Sequence, residues 1–172
     1  MRKPALVIFL LVLASSSHAL AQDTPRFRFG LGLSGGTLLD QGEGGVGGLH
    51  LSLGARLHEL FAVYYHGHVL AGAFVDGRTG QAVLLNYNAA LAELNLGPFQ
   101  VGAGPSLDVT TGCSMDATQL PPTGSCSDGV APGLGTRVGL VLGAFALSGD
   151  AHFTFYETGA AVGLLLGLGV QL

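Results

Sequence analysis

Residues 159–172 separate into two rows by parity. Ala160, Val162, Leu164, Leu166, Leu168, Val170 and Leu172 make an apolar row; Ala161, Gly163, Leu165, Gly167, Gly169 and Gln171 make a row with few side chains. A repeat of two belongs to a β-strand, whose successive side chains leave opposite faces. A helix would mix the two rows on every face. The segment therefore predicts a strand with one greasy surface and one nearly bare surface, and any fold built on it must supply a separate environment for each.

Seven further segments repeat the pattern. They are 26–34 (Phe27, Phe29, Leu31, Leu33 on the apolar face), 48–57 (Leu49, Leu51, Leu53, Ala55, Leu57), 61–74 (Phe61, Val63, Tyr65, Val69, Ala71), 82–96, 99–109 (Val101, Ala103, Leu107, Val109), 134–142 (Leu134, Val138, Leu140, Leu142) and 145–155 (Phe145, Leu147, Ala151, Phe153, Phe155). In the fourth segment Asn86 and Asn88 read as the polar face, which leaves Glu93 on the wrong parity. A bulge near Ala89–Ala90 would shift the phase and restore it. His58-Glu59-Leu60, Gly97-Pro98 and Gly143-Ala144 read as tight hairpin links. Gly35–Gly47, Val75–Gln81, Thr110–Gly133 and Tyr156–Thr158 read as longer connections, with Thr110–Gly133 the largest exposed loop.

The start of the chain reads as an export signal. Arg2 and Lys3 precede an apolar run, Ala5–Ala14, and Ala19-Leu20-Ala21 offers a small-residue cleavage site. Residues 1–21 are the expected signal peptide and 22–172 the mature domain. That domain carries five arginines and no lysine against eleven carboxylates, a net charge of −6. This excludes the basic footprint that nucleic acid requires. Charged residues make up only 10% of the whole chain and hydrophobic ones 48%, against about 25% charged in soluble domains. An exported chain meets oxidising conditions, so Cys113 and Cys126 are expected to form a disulfide.

Period-two strands would also suit a soluble barrel with an apolar interior. The second face argues otherwise. It carries Gly30, Gly32, Gly48, Gly54, Gly72, Gly102, Gly104, Gly139, Gly163, Gly167 and Gly169, with few charges. Small residues with scattered ionic groups suit the narrow lumen of an eight-stranded barrel, and the apolar row then faces lipid. The expected luminal polar residues are Arg28, Arg56, Asp108, Arg137 and Asp150, with Arg28, Arg56, Asp150 and Glu93 grouped toward the short-turn end. His50, His66, His68 and His152 are expected nearer the middle. They read first as hydrogen-bonded filling, and secondarily as metal ligands, because His66-Gly67-His68 puts two imidazoles on one face. No metal or cofactor is assigned at this stage. Aromatic girdles are expected from Phe27, Phe61, Phe99 and Phe145 at one interface and Phe74, Tyr87, Phe153, Phe155 and Tyr156 at the other.

On these features the chain resembles the small eight-stranded outer-membrane barrels, the OmpA-like and OmpX-like group, over Arg26–Leu172. The resemblance rests on strand count, loop alternation and the terminal strand. It implies an all-β, eight-stranded antiparallel up-and-down transmembrane barrel in the bacterial outer membrane, with both termini on the short-turn, periplasmic side. Such barrels usually end in an aromatic residue; this chain ends in Leu172. The group includes anchors, host-interaction proteins and lipid A deacylases. The expected function is non-enzymatic, structural or interacting with an extracellular partner through the loops, as a monomer among outer-membrane lipid and lipopolysaccharide. Asp116 and Asp128 in the 110–133 segment are the candidate loop contacts. A deacylase-like activity is the alternative, because His50-Leu51-Ser52 has a His-x-Ser spacing; a small-solute pore is the third reading. The remaining loops contribute Asp40, Glu43, Asp76 and Glu157 against Arg78, an acidity suited to divalent cations.

Overall fold

The computed structural model describes residues 26–39, 43–76, 79–116, 123–157 and 159–172, with the side chains of Asp76, Met115, Asp116 and Thr123 excepted. The expected signal peptide, Asp40 and Arg78 lie outside the described residues. Eight strands follow in chain order: β1 (Arg26–Leu38), β2 (Glu43–His58), β3 (Phe61–Asp76), β4 (Thr79–Leu96), β5 (Phe99–Asp116), β6 (Thr123–Leu142), β7 (Phe145–Tyr156) and β8 (Gly159–Gln171). Each pairs antiparallel with its neighbour, and β8 returns to β1 to close the ring. The closing ladder runs from Gly30↔Gln171 to Leu38↔Gly163, further along β1 than the expected 26–34 segment. Leu172 extends it, exchanging backbone hydrogen bonds with Phe29 at 2.8 and 3.1 Å. Closure removes both sheet edges, so every strand has two partners.

The two rows of β8 face opposite environments, as the parity predicts. Leu166 is 72% exposed on the outer surface, whereas Leu165 is buried inside. The same division runs round the ring: Phe27, Leu33, Leu49, Val69, Leu107, Val138 and Leu147 are all exposed, while Ser52, His66, Asp108, Arg137 and Asp150 are buried. The barrel is thus apolar outside, with its buried ionisable and hydroxyl groups inside. Water would oppose that arrangement; hydrocarbon, in which the closed ladder satisfies the backbone, is the matching solvent.

The turns at one end are short. Gly97 and Gly143 each hold φ at 66° at the first of two turn residues. A type II′ hairpin reserves that position for glycine. The third link, Glu59-Leu60, has no glycine and instead follows a bulge between Arg56 and His58. Its geometry is held by side chains: Arg56 Nη2 donates to Glu59 O at 2.7 Å and Leu60 N to His58 Nδ1 at 3.3 Å.

Three expectations need correction. First, the long connections are largely strand. β5 continues to Asp116 and β6 begins at Thr123, so most of 110–133 is a projecting β-hairpin. Its Gly, Ser and Thr content hid it because strand above a bilayer has no lipid-facing row to display. Second, β4 has no bulge: its register with β3 is unbroken from Phe61↔Leu94 to Asp76↔Thr79. Val83, Leu85, Tyr87, Ala89, Leu91 and Glu93 all point inward. Asn86 and Asn88 point outward, where Tyr65 Oη donates to Asn88 Oδ1 at 2.6 Å and Asn88 Nδ2 donates to the carbonyls of Asn86 and Leu107. An outward asparagine is tolerable because those bonds satisfy it. Third, Phe74 and Tyr87 are buried and belong to no girdle. Phe27, Phe61, Phe99 and Phe145 do form an exposed ring beside the short turns, and Phe155 and Tyr156 are exposed at the other end.

Candidate functional site

The lumen is filled in layers. Toward the end away from the short turns, Leu38, Val46, Leu70, Phe74, Val83, Leu85, Tyr87 and Leu165 form an apolar plug. A smaller apolar group, Ala62, Tyr64, Ala89 and Leu91, sits lower. The sequence reading missed this apolar plug: it left Leu38 and Val46 in a loop, gave Phe74 and Tyr87 to a girdle, and took the opposite face of β4 as luminal.

A polar core lies with these groups. His50 and His68 stand directly opposite each other on β2 and β3, and Ser52 stands opposite His66. Imidazole pairs connect them, tilted for His50–His68 with ring centroids 5.8 Å apart and edge-on for His66–His68 at 4.5 Å. Ser34 Oγ lies 3.3 Å from His50 Nδ1 and 3.0 Å from His68 Nδ1. A hydroxyl has one proton, so it donates to one ring and accepts from the other. The glycines of the closing strands make room for this core. A Cβ on Gly32 would lie 2.5 Å from His50 Cε1, and one on Gly169 would lie 3.1 Å from His50 Nε2.

Asp150 belongs to this core and not to the Arg28 group. β6 and β7 place it directly opposite Arg137. Its Oδ1 lies 3.3 Å from His66 Nε2 and 4.0 Å from Arg137 Nε, and Ser148 Oγ donates to its Oδ2 at 2.8 Å. Arg137 Nη1 donates to His66 Nδ1 at 3.2 Å, and its guanidinium lies 6.0 Å from the Tyr64 ring centroid. The parity rule gives a residue's face but not its height, because strand stagger sets which luminal residues meet.

The Arg28 group is a separate pair. Arg28 Nη1 donates to Glu93 Oε1 at 2.9 Å, and the Tyr64 hydroxyl donates to Glu93 Oε2. Arg56 stands outside it, bonded to its own turn. Asp108 is held by hydroxyls, with Thr154 Oγ1 donating at 2.7 Å and Ser106 Oγ at 3.2 Å. His152 stacks on Tyr87, their rings 4.4 Å apart and 8° from parallel.

The second candidate is the β5–β6 hairpin. Cys113 and Cys126 are directly opposite in the ladder and joined by a disulfide. Beside the hairpin, a cavity of about 350 Å³ opens at the barrel mouth. Its floor is Leu38, Val83 and Leu85; its walls include Gln81, Thr110, Ser114, Ser125, Tyr156 and Asp128. Asp128 lines this cavity, while Asp116 ends β5 opposite Thr123. Ser52 is buried in the lumen beside Gly30, away from any surface a lipid could reach.

No protein-family model matches the chain, and no curated protein does. Solved structures match it over nearly all of the barrel. Ail, the attachment invasion locus protein of Yersinia pestis, aligns with a TM-score of 0.60 at 9% identity, over 88% of this chain and 100% of that one. Neisserial surface protein A aligns at 0.52 with 16% identity, over 87% and 98%. The N-terminal β-barrel domain of Pseudomonas aeruginosa OprF aligns at 0.50 with 12% identity, over 87% and 100%. The chain has the fold of the small eight-stranded outer-membrane barrels.

Proposed function

We propose that this protein is a non-enzymatic barrel of the bacterial outer membrane whose plugged body presents the β5–β6 hairpin outside the cell as a binding element. The observation that carries this is the disulfide across the projecting hairpin together with the mouth cavity beside it. A spanning strand needs about 9–11 residues, and β5 and β6 contain 18 and 20. The excess stands clear of the bilayer, and the cross-link keeps it from fraying. Binding residues on a stiff support lose less entropy on engagement than those on a loose loop.

The cavity chemistry suits an uncharged, hydroxyl-bearing ligand: serine, threonine and glutamine groups above an apolar floor, with a tyrosine ring at the side. Ail has been crystallised with the heparin analogue sucrose octasulfate. A polyanion does not suit the present chain, whose long connecting segments contain, by sequence, Asp40, Glu43, Asp76, Asp116, Asp128 and Glu157 against Arg78. The test is an array of neutral oligosaccharides probed with the refolded barrel. Retention that disappears when residues 114–125 are replaced by a two-residue turn supports the reading. Retention unchanged by that replacement, or preference for sulfated glycans, contradicts it.

The deacylase alternative would require lipid to reach His50 and Ser52. Both are buried in the lumen, and a lipid chain outside the ring has no path to them. Lipid A from cells expressing the protein is expected to keep its acyl chains; a shortened form that vanishes in Ser52→Ala would overturn the non-enzymatic reading.

A further inference from the structure

We propose that His66, His68 and Asp150 form a luminal site for one divalent transition-metal ion of the zinc class, with Arg137 as the competing cation in the metal-free barrel. The three side chains can each offer a ligand atom, and these atoms all lie within 4.8 Å of one another. His66 is 1% exposed, His68 0% and Asp150 3%. His68 Nε2 is a buried polar atom with no hydrogen-bond partner, and His66 Nε2 faces Asp150 Oδ1 at 3.3 Å. An unpartnered imidazole nitrogen beside a buried carboxylate is costly in a dry interior unless something occupies the space between them.

The donor set is two imidazole nitrogens and one carboxylate oxygen, which suits zinc and its neighbours over magnesium or calcium. A zinc ion about 2.1 Å from each ligand needs ligand atoms about 3.4 Å apart. The His66 Nε2–Asp150 Oδ1 pair already stands at 3.3 Å. His68 would reach the same spacing by side-chain rotation from within 4.8 Å. His50 and His152 pack around this group without joining it, their rings 5.8 and 5.2 Å from that of His68.

The surroundings of the two imidazoles differ. A metal on Nε2 requires the proton on Nδ1, and that proton needs an acceptor. For His68 the acceptor is in place: Ser34 Oγ accepts from His68 Nδ1–H and donates to His50 Nδ1. For His66 it is not, because Arg137 Nη1 donates to His66 Nδ1. In that state neutral His66 carries its proton on Nε2, directed at Asp150. Metal entry therefore displaces the guanidinium from Nδ1, and the two cations exclude each other. Glutamine at position 137 would offer an acceptor instead of a donor and remove the competing charge.

The experiment is cobalt titration of the untagged barrel, with cobalt supplied during refolding because the site is enclosed. Visible absorption is followed, and metal per chain is counted after desalting. The wild type is expected to retain one cobalt with a d–d band, displaced by zinc. His68→Ala is expected to lose the band while keeping its heat-dependent gel shift. Arg137→Gln is expected to bind about 10-fold tighter, the scale of an outer-shell effect. His58→Ala, at an exposed turn, is expected to bind as wild type does. No stoichiometric cobalt in the wild type at micromolar metal would overturn the proposal, whatever the variants do; so would an undiminished band in a folded His68→Ala barrel, or weaker binding in Arg137→Gln.

Discussion

Glu93 shows what a single luminal residue contributes. Its carboxylate is 1% exposed and is held by Arg28 and Tyr64. Removing one member of a buried pair leaves an uncompensated charge, whereas removing both does not. Arg28→Met is expected to lower unfolding stability by about 3 kcal/mol, measured by urea titration in detergent. Adding Glu93→Met is expected to recover most of that loss. A double variant less stable than the single one would show that the pair does not act as a unit. Glu93 also marks where sequence reading stopped. Its inward placement was correct, but it was reached through a bulge that is absent, assumed because Asn86 and Asn88 were taken as luminal. The partner of Asn88, Tyr65, sits on the neighbouring strand, and sequence does not show which residues lie side by side.

Strands behave as two-faced elements, and β8 shows both faces at consecutive positions. Leu166 is outward near the strand centre, while Gly167 is inward, where an added Cβ would lie 2.5 Å from Ser148 Oγ and 3.2 Å from His50 Cε1. Leu166→Arg is expected to cost about 2–4 kcal/mol, the price of a cation at the bilayer midplane. Gly167→Ala is expected to cost about 1–3 kcal/mol by overpacking. Both are read as unfolding midpoints in lipid vesicles. An arginine without effect at 166 would contradict a lipid-facing row. The β5–β6 hairpin answers to a different constraint. Reducing Cys113–Cys126 is expected to expose 110–133 to protease on whole cells while the remainder of the barrel stays protected. Closing a loop of this size is worth about 3 kcal/mol in the chain-entropy model, and that loss should stay within the hairpin.

Strand number and pairing order were legible, and facing too outside β4, because a closed two-faced sheet writes a period of two into its segments. Phe74 and Tyr87 were misplaced because aromatic residues serve both as interfacial belts and as plugs, and composition does not separate the uses. Asp150 was placed with the wrong partners because its neighbours follow from stagger around the ring. At the scale of the whole molecule, these errors leave the solvent assignment untouched: hydrocarbon outside, a filled lumen inside. Eight strands enclose space just wide enough for side chains, and here Leu70, Phe74 and Leu85 help to fill it. Planar bilayers containing the barrel are accordingly expected to show no stable channels. The most direct test of the inverted arrangement is a nitroxide scan of β8 in vesicles, one labelled cysteine at a time from 160 to 171 in a background with Cys113 and Cys126 replaced. Central even-numbered sites are expected to collide with oxygen dissolved in the lipid, and central odd-numbered sites with neither oxygen nor a water-soluble nickel reagent. Even-numbered sites open to the nickel reagent and closed to oxygen would place that face in water and contradict the account.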